Sequence, residues 1–204
     1  MGALKLARTR NEEAYAAARD TLLDTGMKLI RANSYDSVGI NDILRESNVP
    51  KGSFYHYFDS KETFGLAVLQ HYHAQQLKMA QDVLKNEDLA PVKRLKRFFE
   101  TAYDDFEGRD FSQGCLMCNL STELGASSPG FQAELNKSWS ELSAALSACI
   151  SKLNKADINL SHLSDAEAAE WLLNAWSGAL TRMKARGNGE PLQLFLKSIF
   201  KKDA

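Results

Sequence analysis

The amino-acid sequence predicts an all-α protein of about nine helices. Apolar residues recur at intervals of three and four positions, the spacing of one helix face, and no segment alternates apolar and polar residues long enough to indicate a strand. Glycine, proline and asparagine interrupt this spacing and divide the chain into separate helices. The pattern predicts a three-helix unit over residues 1–58 and a larger helical unit over 59–204, which begins with a long connecting helix over 60–85.

The first two predicted helices are joined by a short polar turn. The first helix is predicted over 12–32, and the sequence "NSYDS" ends it. Asn33 tolerates the left-handed conformation of such a turn, and we expect Tyr35 to fill the space beneath the loop. The second helix is predicted over 40–46, with its apolar side facing inward.

Proline and a polar cap mark the starts of the next two helices. Pro50 suits the first position of a helix, because its missing N–H would have no partner there, and the third helix is therefore predicted over 50–57. In the following "DSKE", Asp59 or Ser60 can cap the fourth helix, which is long enough to connect the two units.

Five further helices are predicted from apolar spacing between breaks at proline and glycine. Ser164 and Glu167 have the spacing of a capping box, which indicates that one of these helices begins directly after the serine. The five are predicted over 91–107, 115–123, 128–153, 165–185 and 191–201.

Composition describes an ordinary globular protein: of 204 residues, 44% are hydrophobic and 25% charged. No apolar run approaches the roughly 18 residues that a membrane-spanning helix needs, and the first residues do not resemble a signal peptide. The three cysteines are an odd number in a chain too long to need disulfide bonds, which indicates reduced thiols. We therefore expect a cytoplasmic protein with no membrane partner.

The formal net charge of −1 does not by itself indicate a nucleic-acid partner, although a local basic face matters more than the total. Lys5, Arg8 and Arg10 lie in a segment without acidic residues, whereas residues 11–62 contain six basic and nine acidic residues. Charge therefore neither supports nor excludes a nucleic-acid partner, and the hypothesis of DNA binding depends on the predicted geometry of the helices.

The second and third predicted helices, joined by the turn "SNVP", have the layout of a helix-turn-helix, whose second helix lies in the major groove of DNA. Phe54 and Phe58 are four positions apart and are predicted to face the core. Tyr55 and His56 then face outward, where a phenol and an imidazole can donate hydrogen bonds to phosphate oxygens. The alternative is that the aromatic rings only pack beneath a long helix. The start of the helix offers Lys51, Gly52 and Ser53, and the glycine lets the backbone approach a nucleotide closely.

The segment "VGINDILRESNVPKGSFYHYFDSKETFGLAVL" resembles the DNA-binding module of TetR-family transcriptional regulators, and the likeness extends over residues 12–66. The motifs that carry it are "DI", "V-x-KGS-x-Y-x-YF" and "SKE". The resemblance implies a homodimer with an N-terminal three-helix DNA-binding domain and a divergent C-terminal effector domain. It also implies that the residues at the DNA are Gly39, Lys51, Gly52, Ser53, Tyr55, His56 and Lys61.

The sequence departs from the family pattern at three positions. Gly39 replaces the serine or threonine that commonly caps the second helix, so we expect at most a backbone N–H contact to phosphate there. Pro50 replaces a frequent serine, and Ser34 replaces the glycine that usually closes the first helix. These differences leave the predicted fold intact, but the first two each remove a hydroxyl from the expected phosphate contacts.

The last two predicted helices carry a face suited to a second subunit. Small residues at helical spacing let two helices approach closely, and an apolar stripe follows on the last helix. Packing within one subunit is the alternative, but the resemblance implies a four-helix bundle across a dimer axis. The face consists of Ala175, Gly178, Ala179, Leu192, Phe195, Leu196 and Ile199.

Cys115 and Cys118 have C-x2-C spacing and allow several interpretations. Zinc would need two further ligands, and the histidines do not have finger-like spacing. A thioredoxin-like enzyme would need a strand–helix context that is missing. The thiols can simply fill small apolar sites, as Cys149 is expected to do. Finally, "GCL" resembles a NemR-like subgroup of the family in which a cysteine at the place of Cys115 responds to oxidants and quinones.

We therefore predict a DNA-binding regulator that is not an enzyme and needs no cofactor or metal. The expected form is a homodimeric repressor on a palindromic operator, released by an unidentified small-molecule effector or by thiol modification. A helical thiol redox enzyme using Cys115 and Cys118 is the alternative. The sequence does not separate a repressor from an activator that shares the same DNA-binding module.

Overall fold

The computed structural model describes residues 2–200, with all their side chains except those of residues 2–12 and of Lys51. This part of the chain contains nine α-helices and no strand, which confirms the predicted fold class. The helices are α1 (Gly2–Ala32), α2 (Ile40–Ser47), α3 (Phe54–Tyr57), α4 (Lys61–Leu84), α5 (Pro91–Glu107), α6 (Leu116–Leu124), α7 (Pro129–Ile150), α8 (Asp165–Arg186) and α9 (Glu190–Ile199). Short 3-10 turns cover Lys51–Ser53 and Lys155–Ile158.

Helix ends differ from the prediction most at the start of α1 and at the end of α7, which is Ile150 rather than residue 153. α1 begins at Gly2 rather than near residue 12, because its first residues are mostly strong helix formers without a regular apolar stripe. α9 ends at Ile199, and the predicted end at residue 201 lies outside the described range.

The chain divides into two compact units, Met1–Tyr72 and His73–Ala204. The division falls within α4, because the first turns of α4 pack with the N-terminal helices. Phe64 lies 5.4 Å from Phe54 and 5.0 Å from Phe58, measured between ring centroids. The buried apolar side chains of this unit include Leu22, Leu23, Ile30, Ile43, Leu44, Phe54, Phe58, Phe64, Val68 and Leu69.

The turn after α1 differs from the expected one in its backbone. Asn33 does not take the left-handed conformation; its side-chain Nδ2 instead donates to the carbonyl of Leu29 at 3.0 Å. Asn48 (φ 54°), the residue that ends α2, takes the left-handed conformation instead. Tyr35 is 7% exposed, which confirms that it fills the space beneath the loop.

The predicted third helix is split into a 3-10 turn and α3. Pro50 is extended (φ −57°, ψ 138°) and precedes the turn instead of opening the helix. Ser60 caps the first turn of α4, since its Oγ accepts the Thr63 N–H at 3.0 Å.

The larger unit is built around α8, which packs with α7 and α9. The rings of Phe99, Trp176 and Phe195 form a cluster in which centroids lie 4.8–5.2 Å apart. The capping box is confirmed: the Ser164 N–H donates to Glu167 Oε2 at 2.8 Å, and the Glu167 N–H donates to Ser164 Oγ at 3.2 Å. Every helix in the described range is too short or too polar to cross a bilayer.

Candidate nucleic-acid interface

The single turn of α3 divides its aromatic residues between core and surface. Phe54 is completely buried and Phe58 is 3% exposed, with their ring centroids 5.6 Å apart. Tyr55 is 63% exposed, and His56 is also exposed. The predicted inward and outward faces are confirmed, because residues four apart on a helix share one side.

Backbone hydrogen bonds connect both ends of the short helix α3 to the neighbouring residues. The Ser53 N–H donates to the carbonyl of Pro50 at 2.8 Å, and the Phe58 N–H donates to that of Phe54 at 3.0 Å. Gly52 is exposed, and a Cβ added to it would meet no atom within 4 Å. The fold itself therefore does not require glycine at this position. The side chain of Lys51 lies outside the described set.

Lys61 is anchored to the turn between α1 and α2. Its ammonium donates to the carbonyl of Asp36 at 3.2 Å and lies 4.6 Å from the centre of the Tyr35 ring. Burial, with the nearby charges of Glu62 and Asp36, raises the pKa of Tyr35 to about 12. The ring beneath the ammonium is therefore a neutral phenol near pH 7.

The N–H of Gly39 is occupied within the protein, which corrects the expectation of a backbone N–H available to phosphate. It donates to Asp42 Oδ2 at 3.1 Å, because Asp42 stands in the first turn of α2 and its carboxylate reaches back over the helix start. The other carboxylate oxygen accepts from Arg45 Nη2 at 2.7 Å. The hydrogen bonds from Arg45 and Gly39 lower the pKa of Asp42, so this carboxylate stays ionised.

Two of the three cysteines meet at the start of α6. Cys115 caps the helix and is 9% exposed, and Cys118 follows within the first turn. A hydrogen bond with Cys115, together with burial, raises the pKa of the Cys118 thiol well above its usual range. A cleft of about 360 Å³ borders both thiols and is also lined by Asn119, Thr181 and Lys184.

Cys149 lies apart from this pair and is buried in the core, as predicted. Its thiol donates to the carbonyl of Pro91 at 3.5 Å, and burial raises its pKa. The described residues contain no group of three or more histidine, cysteine, aspartate or glutamate side chains placed to hold a metal ion.

An open apolar groove of about 610 Å³ runs between α8 and α9. Five residues of the face predicted to contact a second subunit line this groove: Ala175, Gly178, Ala179, Phe195 and Ile199. Leu192, in contrast, has no exposed surface and belongs to the core of its own subunit. It is completely enclosed within its own subunit and therefore cannot contribute to an exposed face.

Sequence reasoning missed two residues of this groove, Trp171 and Leu194. They are 44% and 65% exposed, the most exposed large apolar side chains of α8 and α9. In the sequence, each is a large apolar residue that does not belong to the buried stripe of its helix, and this feature could have identified both.

Family models match both units. Residues 22–68 match the model for bacterial regulatory proteins of the tetR family. Residues 91–199 match the model for the tetracyclin repressor-like C-terminal domain.

Individual relatives match over nearly the whole chain. The transcriptional regulator AcuR of Cereibacter sphaeroides is 33% identical over 200 residues, 94% of this chain and 88% of AcuR. The HTH-type transcriptional repressor DhaR of Mycobacterium sp. (strain GP1) is 32% identical over 187 residues, 92% of each chain.

Solved structures show the same architecture. A regulatory protein TetR from Rhodobacter sphaeroides superposes with a TM-score of 0.84 at 30% identity, over 89% of this chain and 96% of that chain. The reduced form of E. coli NemR superposes with a TM-score of 0.81 at 27% identity, over 90% and 95%. With the helix-turn-helix in one unit and the all-helical C-terminal unit in the other, the chain belongs to the TetR family of DNA-binding transcriptional regulators.

Proposed function

We propose that this protein is a repressor that binds a palindromic operator as a homodimer, with α3 of each subunit in a major groove. The observation that carries the proposal is the exposure of Tyr55 and His56 on a turn whose two phenylalanines are fixed in the core. The relatives DhaR and NemR are named as repressors, which favours repression over activation here.

The polar groups of α3 and of the 3-10 turn before it suit the phosphate backbone of DNA. A phenol, an imidazole and the hydroxyl of Ser53 can each donate a hydrogen bond to a phosphate oxygen. Gly52 leaves the backbone bare, so a nucleotide can approach closely. Lys61 uses an N–H on the Asp36 carbonyl and retains other donors for phosphate. The proposed DNA contacts are Lys51, Gly52, Ser53, Tyr55, His56 and Lys61. Gly39 is left out because its N–H is already bonded to Asp42.

A second copy of the chain is the proposed occupant of the α8–α9 groove. TetR-family regulators act as dimers, and this groove exposes Trp171 and Leu194 beside small residues. A Cβ at Gly178 would meet nothing within 4 Å, so a helix of the partner can approach α8 there. Dimerisation places two reading helices about 34 Å apart, one turn of DNA, which is the geometry of a palindrome.

A small-molecule effector is proposed to bind the larger unit. A cleft of about 460 Å³ between α6 and α8 is lined by Cys118, Ser121, Trp139, Asn174 and Ser177. An effector must bind the released state roughly 5 kcal/mol more tightly than the operator-bound state to move the protein from mostly bound to mostly free. α4 contributes residues to both units and is the proposed lever.

Thiol oxidation is the second proposed signal, supported by the position of Cys115 and Cys118 at the start of α6, where both line one cleft. Hypochlorous acid would convert the two thiols to a disulfide: the thiols lose two electrons, chlorine is reduced to chloride, and water and HCl are released.

The oxidation signal is tested by exposing operator-bound wild type, Cys115→Ser, Cys118→Ser and Cys149→Ser to hypochlorite. We expect wild type and the Cys149 control to release DNA, and either of the other variants to resist. Equal release from all four proteins, or from none, would contradict sensing by this pair.

The repressor function is tested by selecting DNA ligands from a random library with the full-length protein and measuring fluorescence anisotropy on the enriched sequence. We expect a two-fold symmetric site with half-sites about one helical turn apart, and reduced transcription from a promoter carrying it. A selection that enriches no sequence, or activation from that promoter, would contradict the proposal.

A further inference from the structure

We propose that Tyr15 of α1 is a positioning residue for operator binding, which holds α3 so that Tyr55 and His56 are presented to DNA. This inference rests on the proposed role of α3 as the reading helix. It concerns a residue outside the DNA contact set, 41 positions before His56.

Tyr15 contacts α3 in two ways. Its hydroxyl donates to the main-chain carbonyl of His56 at 2.9 Å. Its ring lies against that of Tyr57, with the centroids 4.5 Å apart and the planes inclined by 38°. One side chain of α1 therefore holds both the backbone and an aromatic side chain of the last turn before Phe58.

α3 needs this support because it is a single turn. A helix of four residues cannot bond most of its own carbonyls, and one isolated turn is costly to form. Phe54 and Phe58 hold the side of the turn that faces the core. Tyr15 supplies a partner for the carbonyl of His56, a residue whose own side chain is exposed.

The exposure of Tyr15 indicates that its main effect is local. The side chain is 46% exposed and its hydrogen bond lies at the surface, so the hydroxyl contributes only modestly to the stability of the unit. Its hydrogen bond instead fixes the orientation of the residues proposed to contact phosphate. Small displacements of these donors weaken their hydrogen bonds, because such bonds depend steeply on distance and angle.

The test compares Tyr15→Phe, which removes only the hydroxyl, with Tyr103→Phe as the control. The Tyr103 hydroxyl also makes hydrogen bonds, to Gln193 and Glu107, but in the larger unit. We expect Tyr15→Phe to weaken operator binding roughly threefold to tenfold, the effect of one net hydrogen bond, with an unchanged thermal melt. In the free protein, hydrogen exchange at the Phe58 amide should become faster, since that N–H closes α3. The control should change neither quantity.

Three results would overturn the inference. Unchanged operator affinity in Tyr15→Phe would do so, whatever happens to the melt. Weaker binding with unchanged exchange at Phe58 would show that the hydroxyl contacts DNA directly rather than positioning α3. Loss of binding to the same extent in the Tyr103 control would show a general effect of removing a hydroxyl. Tyr55→Ala distinguishes failure of the inference about Tyr15 from failure of the proposed role of α3. If Tyr55→Ala weakens operator binding while Tyr15→Phe does not, only the inference about Tyr15 fails. If neither variant weakens binding, the proposed role of α3 fails as well.

Discussion

Gly26 of α1 lies so close to the ring of Phe64 in α4 that a Cβ at Gly26 would be 2.4 Å from Phe64 Cζ. Phe64 is 1% exposed and contacts both phenylalanines that anchor α3, so its ring has no free space to move into. The absence of a side chain at Gly26 thus allows the Phe64 ring to pack against α1 while it contacts the two phenylalanines that anchor α3.

Gly26→Val should lower the free energy of unfolding by about 1–3 kcal/mol, because overpacking of the buried cluster outweighs the small gain in helix propensity. Urea denaturation measures the change. The same substitution at Gly52, where an added Cβ meets nothing within 4 Å, should shift stability by no more than about 0.5 kcal/mol. Equal stability of the two variants would contradict the described contact between α1 and α4.

Tyr55→Ala should weaken operator binding by about tenfold or more, since a hydrogen bond to a charged phosphate is lost. Its salt dependence should stay unchanged, because the phenol is neutral and releases no counterion. Lys51→Ala should instead lower the slope of log affinity against log salt by about one unit. Anisotropy at several salt concentrations measures both effects, and identical slopes for wild type and Lys51→Ala would remove Lys51 from the contact set.

Leu194→Glu should convert the dimer to monomers, because a carboxylate in place of this apolar side chain would have to lose its water on entering the proposed interface. The subunit fold should persist, since this side chain is 65% exposed in a single chain. Light scattering gives the mass and circular dichroism the helix content. Ala166→Glu, at an exposed position of α8 that does not line the groove, is the control. A Leu194→Glu protein that remains dimeric at low micromolar concentration would place the interface elsewhere.

The raised pKa of Cys118 predicts a loss of stability at alkaline pH. The folded state keeps this thiol protonated, whereas the unfolded chain ionises it near its ordinary pKa of about 8.5. The stabilising difference is therefore fully present below that pH and falls as pH rises, by up to about 1.4 kcal/mol per pH unit for one group. Urea denaturation between pH 7 and about pH 10 should show a shallower decline for Cys118→Ser than for wild type. Parallel declines would show that the thiol is not protonated preferentially in the folded state.

Local patterns in the sequence predicted the features that depend on neighbouring residues. Helical spacing indicated the helices, Ser164 and Glu167 indicated the start of α8, and a four-residue interval separated Phe54 and Phe58 from Tyr55. Each of these depends on residues within one or two helical turns, where the physical rule is strong.

Contacts between distant segments were not predictable in this way. The bond from Tyr15 to His56 joins residues 41 positions apart, and no periodicity indicates it. Leu192 was assigned to a subunit face because its spacing fits both a core stripe and an interface stripe. The carboxylate that accepts from the Gly39 N–H lies only three positions further along the chain, yet its direction became clear only from the structure.

The proposed DNA recognition is tested by the structure of the dimer bound to its selected operator. We expect α3 of both subunits in successive major grooves, with Tyr55 and His56 within hydrogen-bond distance of phosphate oxygens in each half-site. A complex in which α3 lies away from the DNA, or in which these two side chains face solvent in both half-sites, would contradict it.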